Sequence, residues 1–332
     1  MEPSVPEFPP VSHQNPDEPR LLLLDTASLY FRAFFGVPDS MRTPDGRPVN
    51  AVRGLLDFIA RLVTEYRPTH LACCWDNDWR PAWRVELIPG YKAHRVATGS
   101  QTGIAEMSHS KATQLEDSPA DLAAQVPMII DSLSALGLAI VGKDGYEADD
   151  VIGTLARTAG IPVDVVTGDR DLFQLVDDDR QIRVLYTARG VGNHDRVDDA
   201  WLQARFGVPA AGYRDFATLK GDPSDGLPGV AGVGEKTAAN LITKYGNLDG
   251  IIQAVAAPDS SIAPGVRAKL TAAIEYLAVA PEVVGVRDDL DLGVSLDDLE
   301  LPTAPADPQR FAELTETLGL GGSGDRVLAA LG

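Results

Sequence analysis

The order of apolar runs in this 332-residue chain predicts an α/β fold: a parallel central sheet with helices on both faces, followed by a helical module. Three observations carry that expectation. Leu21 to Leu24 and Leu71 to Trp75 are apolar without alternation, the mark of strands buried on both faces, and Val163 to Thr167, with valines on either side of Asp164, reads as another. Stretches of helical periodicity separate them. Past about Trp201, helical patterns continue and clear strands stop.

Order is expected to begin at Arg20, because Met1 to Pro19 is rich in proline and acids and has no basic start or apolar centre. Leu21 to Leu24 then forms the first strand, ending at Asp25. Leu29 to Phe35 is helical, Thr43-Pro44-Asp45-Gly46 turns, and Ala51 to Tyr66 is a helix closed before Pro68. Leu71 to Trp75 ends at another acid, Asp76. Asp121 to Leu136 reads as a helix and Leu138 to Val141 as a short strand. A helix headed by Glu147 follows, and Val163 to Thr167 runs into Gly168-Asp169-Arg170-Asp171. Further helices are expected over Trp201 to Phe206, Tyr213 to Leu219, Lys236 to Tyr245, Val266 to Leu277 and Gln309 to Leu318. The implied organisation is a tail over 1–19, a core over 20–198 with an insertion at about 79–120, and a helical module over 199–332.

A hydrophobic content of 44% is enough for a sizeable core. The two cysteines, Cys73 and Cys74, are adjacent and offer no disulfide framework, which suits a reduced cytoplasmic setting. No apolar run approaches the ~20 residues a membrane span needs. A net charge of −19 speaks against a nucleic-acid partner only if the acids are spread evenly, and they are not.

Glu147-Ala148-Asp149-Asp150 puts three carboxylates where an apolar helix begins. One acid there is ordinary, since the helix N-terminus carries partial positive charge worth up to about 1 kcal/mol. Two like charges ~4 Å apart, however, repel by ~4 kcal/mol at an effective dielectric of ~20. Ligands of open α/β sheets bind outside the carboxyl ends of the strands, where Asp25, Asp76 and the Asp169/Asp171 pair stand. Asp222 and Asp225, at i and i+3, share a face of one turn. Such crowding calls for cations among the acids. Asp288 to Asp291 and Asp297-Asp298 read instead as solvated linker acids.

Gly229 to Thr237 (GVAGVGEKT) nearly matches a phosphate loop, but Glu235 breaks the spacing and no strand precedes it. A helix-hairpin-helix fits better, with the backbone N–H groups of a glycine turn and a helix N-terminus facing phosphate. Between Trp79 and Arg95, the basic residues Arg80, Arg84, Lys92 and Arg95 interleave with Trp79, Trp83 and Tyr91, a pattern suited to single-stranded nucleic acid. Val96 to Ser118 is polar and reads as a flexible insertion.

Taken together these motifs resemble the bacterial 5′-nuclease family: stand-alone relatives of the 5′-3′ exonuclease domain of DNA polymerase I, similar also to flap endonucleases. The resemblance runs from about Leu21 to Leu248. It rests on Asp25, Asp76, Tyr91-Lys92-Ala93-His94-Arg95, Glu147-Ala148-Asp149-Asp150, Thr167-Gly168-Asp169-Arg170-Asp171 and Gly221-Asp222 to Asp225 leading into the hairpin. It implies a PIN-like core, an arch over the insertion, and a metal-dependent hydrolase of DNA phosphodiesters acting at a 5′ end, nick or 5′ flap in replication and repair, RNA primers included. Asp25, Asp76, Glu147, Asp149 and Asp150 would surround one metal position, and Asp169, Asp171, Asp222 and Asp225 a second. Mg²⁺ or Mn²⁺ suits such oxygen donors; two ions are implied and a third is left open.

By the same resemblance Lys92 and Arg95 would engage the scissile phosphate, and Asp149 would be central to catalysis. Tyr91 would stack a frayed base and Arg84 would contact DNA. Gly232, Gly234, Lys236 and Thr237 would hold the duplex, with K⁺ at the hairpin a family trait. Gly226 stands where the family usually has Asn. No polymerase domain follows, so a separate polymerase and ligase would complete the repair, at the nucleoid. Among the alternatives, a haloacid-dehalogenase-like phosphatase needs an acid where Ala27 stands. A PIN-type ribonuclease lacks the hairpin module, and a non-catalytic DNA-junction binder has no use for nine clustered carboxylates.

Overall fold

The computed structural model describes residues 18–96, 103–104 and 116–332. Residues 1–17 of the expected tail and most of the expected flexible insertion lie outside them. Strand β1 (Leu21–Asp25) leads into helix α1 (Thr26–Gly36), α2 (Asn50–Tyr66), β2 (His70–Trp75) and α3 (Ala82–Leu87). Two short strands, β3 (Gly103–Ile104) and β4 (Glu116–Asp117), pair antiparallel. Then come α4 (Ala120–Ala123), α5 (Val126–Leu136), β5 (Ala139–Gly142), α6 (Ala148–Thr158), β6 (Val163–Thr167), β7 (Ile182–Tyr186) and β8 (Asp195–Val197). The six-stranded sheet has the order β5-β2-β1-β6-β7-β8, parallel except for β8 at one edge.

β1 lies between β2 and β6, and this central place explains its run of leucines. Successive strand side chains point to opposite faces. Leu21 and Leu23 therefore enter one core, with α6 and β6, while Leu22 and Leu24 enter the other, with α1, α2 and α5. All four are fully buried. Cys73 and Cys74 divide between the two cores in the same way, which is why these neighbours remain free thiols. The chain leaves β1 toward β2 and later returns to its other side as β6. The strand order thus reverses at β1, and a crevice opens beyond the carboxyl ends of β1 and β6.

The rest is helical: α7 (Asp199–Phe206), α8 (Tyr213–Lys220), α9 (Glu235–Tyr245), α10 (Leu248–Ala256), α11 (Pro264–Ala272), α12 (Ile274–Val284), α13 (Pro308–Leu318) and α14 (Gly322–Leu331). Helices α8 to α12 pack on the α6 side of the sheet. From Leu299 the chain passes the start of β2, where Leu301 N donates to Thr69 O at 2.8 Å, and α13 and α14 finish against α5 and α2. Two helices expected to be continuous are broken, between α4 and α5 and between α11 and α12. At the first break Gln125 turns inward: its side-chain oxygen accepts from Ala51 N at 2.8 Å and its amide donates to Asn50 at 3.0 Å. Strands β7 and β8 were not expected from the sequence. Among the described residues no helix is long and apolar enough to cross a membrane.

Candidate active site

Each carboxylate at the crevice is set by the end of a regular element. Asp25 closes β1 and caps α1, accepting from Ser28 N at 3.1 Å and from Thr167 Oγ1 at 2.6 Å. Asp76 follows β2 and accepts from Ala148 N at 2.8 Å, at the head of α6. Glu147 is the N-cap of α6 and forms a capping box with Asp150. Asp169 follows β6 and accepts from Asp171 N at 2.9 Å. Asp222 accepts from both N and Oγ of Ser224, which fixes the single turn that carries Asp225.

Asp25, Asp76, Glu147, Asp149 and Asp169 line one cleft of about 1010 Å³, together with Lys92 and Arg95. Asp171, Asp222 and Asp225 lie beside it, near enough to raise the Asp169 and Asp171 carboxyls electrostatically. Burial, Asp76 and Asp169 push Asp25 up to about 7, against the hydrogen bond from Thr167. Asp149 is driven well above the carboxylate range by burial and by Asp169, Asp25 and Glu147. Asp171 moves the same way. Asp169 is solvent-exposed, so water screens much of what its neighbours do to it. Glu147 behaves oppositely: burial raises it, but Lys92 and Arg84 outweigh that and hold it below its ordinary value.

The basic strip does something other than expected. Arg84 is 2% exposed and bound to Glu147 and Asp150, so it is not a DNA contact. Tyr91 is 4% exposed and donates its hydroxyl to Glu147 at 2.7 Å; its ring is not available to stack a base. Trp79 is buried as well, and Trp83 lies under the Arg84 guanidinium at 4.5 Å. Aromatic and basic residues alternate here because they build the root of the insertion. Asp150 also departs from its expected role as a metal ligand. It is fully buried, its oxygens are taken by Arg84, the Glu147 N–H and the Arg287 N–H, and it does not line the cleft.

Lys92 and Arg95 do face the cleft. The Lys92 ammonium pairs with Glu147 and stands 4.0 Å from Asp225, while Arg95 pairs with Asp225 at 2.8 Å. Lys92 adopts a left-handed backbone (φ 47°), and its N–H donates to Asp225 O at 2.9 Å. The insertion root is thereby tied to the Asp222–Asp225 turn. The approach is so close that a Cβ on Gly226 (φ 71°) would stand 2.3 Å from Gly90 O, which accounts for glycine at that position.

Glu116 is the acid that sequence reasoning missed. It returns the chain from the insertion, lines the same cleft, and is pushed up to about 7 by burial and Asp76. Its only signal was an acid next to β-bridge geometry that a polar stretch does not reveal. Among the described residues, no three His, Cys, Asp or Glu side chains form a group able to hold a metal ion by themselves.

The hairpin projects from the helical module. Val233 N donates to Val230 O at 2.8 Å and both valines are buried, while Gly232 (φ 73°), Gly234 and Lys236 are exposed and Thr237 is half-buried. The Gly232 carbonyl accepts from Lys269 at 2.9 Å.

Residues 20–207 match the model of the 5′-3′ exonuclease N-terminal resolvase-like domain, and residues 208–307 that of the 5′-3′ exonuclease C-terminal SAM fold. The chain belongs to the 5′-3′ exonuclease family. A family member from Streptomyces coelicolor, named 5′-3′ exonuclease, is 56% identical over 313 residues, covering 93% of this chain and 99% of its own. One of the same name from Mycobacterium tuberculosis is 48% identical, covering 94% and 97%. Among solved structures, the catalytic core of Rad2 in complex with DNA substrate is similar with a TM-score of 0.57 at 16% identity, covering 95% of this chain and 92% of that one. A bacteriophage T5 flap endonuclease in complex with DNA and metal ions gives 0.60 at 17%, covering 94% and 99%. At such identities the likeness is one of fold: a mostly parallel sheet joined to a helical module.

Proposed function

We propose that this chain hydrolyses DNA phosphodiester bonds as a divalent-metal-dependent 5′-3′ exonuclease and 5′-flap endonuclease. The observation that carries the reading is the single cleft in which Asp25, Asp76, Glu147, Asp149 and Asp169 meet Lys92 and Arg95. Family membership and the names of relatives covered almost end to end point the same way.

The donor set fits hard cations. Asp25, Asp149 and Asp171 are disfavoured as anions in the protein alone, and positive charge among them removes that penalty. Direct and water-mediated contacts from Asp25, Asp76, Glu147 and Asp149 would hold one ion, and Asp169, Asp171, Asp222 and Asp225 another. Mg²⁺ and Mn²⁺ keep several waters and need no dedicated protein cage. When bound, such ions activate water and stabilise the attacking and leaving oxygens of an in-line displacement. The protein's own part is orientation and charge. Lys92 and Arg95, held by Glu147 and Asp225, present cations to the phosphate and to the negative charge that grows on it. Thr167 and Ser28 fix the Asp25 carboxylate, and the Ala148 N–H fixes Asp76.

Duplex DNA would rest on the exposed hairpin at Gly232, Gly234, Lys236 and Thr237, with K⁺ bound there by carbonyls, and the 5′ strand would enter the cleft. Substrates are DNA with a 5′ flap, nick or free 5′ end, including RNA-primed strands. A separate polymerase and ligase would act on the product, in the cytoplasm at the nucleoid. The test is one gel: labelled 5′-flap, nicked, blunt and RNA strands incubated with Mg²⁺, Mn²⁺ or chelator. Metal-dependent release of short products from the 5′ end of DNA is expected. Cleavage in chelator, or cleavage of RNA alone, would overturn the reading.

A further inference from the structure

Arg84 is the most heavily bonded side chain at the site. All five of its N–H donors are engaged: Nη1 with Glu147 and with Asp150 at 2.9 Å, Nη2 with Asp150 at 2.7 Å and Gly285 O at 3.2 Å, and Nε with Val283 O at 3.1 Å. These partners belong to different parts of the molecule. Glu147 and Asp150 head α6, whereas Val283 and Gly285 supply carbonyls at the end of α12, which a helix cannot satisfy internally. Arg84 itself lies in α3, at the root of the segment that carries Lys92.

The contacts continue in both directions. Glu147 also accepts from Tyr91 and pairs with Lys92, so its position sets theirs. α12 packs on α8, with Tyr276 donating to Thr218 O at 3.2 Å, and α8 holds the hairpin because Val230 N donates to Leu219 O at 2.9 Å. One buried guanidinium therefore stands between the hairpin's supporting helices and the carboxylate that fixes Lys92. A planar fork of five donors can serve a bidentate carboxylate and two carbonyls at once; an ammonium cannot.

We infer that Arg84 is a positioning residue that couples seating of duplex DNA on the helical module to the arrangement of Glu147 and Lys92 in the cleft. This rests on the proposed nuclease function and adds to it a reason for the enzyme to favour substrates with a duplex beside the 5′ strand.

The experiment compares the natural chain with Arg84→Lys, which keeps the charge. Both are assayed with Mg²⁺ on a 5′-flap duplex and on a single-stranded oligonucleotide of the same 5′ sequence. The natural chain should cut the flap with the larger kcat. In Arg84→Lys, kcat on the flap should fall roughly tenfold with KM moving less than about threefold, and the flap-to-single-strand kcat ratio should collapse toward one. Losses of equal proportion on both DNAs, or a rise in KM alone, would overturn the coupling while leaving the nuclease reading intact. Failure of the natural chain to cut either DNA would remove both readings. A second readout needs no turnover: in chelator, flap DNA should slow hydrogen exchange at the Ala148 to Val151 amides of the natural chain and not of the variant. Equal protection in both overturns the proposal. Should Arg84→Lys fail to fold, Asp150→Asn, which loses one half of the bidentate contact, carries the same two measurements.

Discussion

At the scale of single residues the cleft is held in an arrangement unfavourable to the metal-free protein, and the charges responsible are the ones chemistry would use. Asp149 shows this most directly. Its carboxyl is forced well above the usual range by burial and three acidic neighbours, so an uncharged isostere relieves repulsion. Asp149→Asn should raise Tm in chelator by a few degrees and lower cleavage roughly 10³-fold or more. Thermal melts beside a flap assay check both signs; a variant that is destabilised and still active contradicts the assignment. Lys92→Ala should lower kcat by about 10²-fold or more and change DNA affinity far less, because its cation matters most as charge grows on the phosphate. Equal losses in the two would make it a simple anchor.

The pH dependence of stability follows from Asp25 and Glu116, raised from 3.8 and 4.5 to about 7 in the folded chain. Between about pH 4 and 7 the folded protein holds protons that the unfolded chain has released, so stability falls as pH rises through that window. Tm in chelator should decline from pH 5 to 7.5, and excess Mg²⁺ should flatten the decline. A metal-free Tm that climbs over this range would mean these groups are already ionised.

At the scale of elements, the contact between the insertion root and the Asp222–Asp225 turn is the tightest joint at the cleft. Gly226→Ala would drive a Cβ toward the Gly90 carbonyl in a left-handed conformation, and backbone cannot yield as a side-chain tip can. The variant should lose about 1–3 kcal/mol of stability. Since Gly90 lies two residues from Lys92, it should also lose more than about tenfold in kcat, a misplaced group being costly to orientation. Denaturant titration and steady-state kinetics measure the two losses.

The same elements show what a sequence reveals. β1 and β2 were legible because burial on both faces leaves no alternation to confuse the pattern, and β6 because Val163, Val165 and Val166 outweigh a single acid, Asp164. The acids after them were legible because strand ends of a parallel sheet share one rim. β7 was not expected: Arg183 stands inside it as Asp164 stands inside β6, and only the fold shows the two pairing across adjacent strands at 2.5 Å, with Asp164 fully buried. Nor were the partners of Asp150 and Tyr91: an arginine 66 residues before Asp150 is invisible as its counter-ion until the chain folds. Trp79, Arg84 and Tyr91 looked like a nucleic-acid platform because stacking surfaces and buried ion-pair roots draw on the same residue types.

At the scale of the whole molecule, a protein of net charge −19 must bring a polyanion to its most acidic surface. Exposed cations at the hairpin, Lys236 among them, give a local foothold, but the cleft itself repels phosphate until its carboxylates are neutralised. Affinity should therefore depend on divalent ions apart from any role they have in turnover. With Asp149→Asn, whose cleavage is too slow to consume the DNA, adding millimolar Mg²⁺ to a chelated sample should tighten flap binding by about tenfold in fluorescence anisotropy, where monovalent salt of equal ionic strength weakens it. Lys236→Ala should weaken binding in both conditions by a similar factor, since the hairpin contact does not pass through the cleft. If Mg²⁺ loosens the complex as monovalent salt does, the DNA is held by the module alone and its 5′ strand does not rest among the acids.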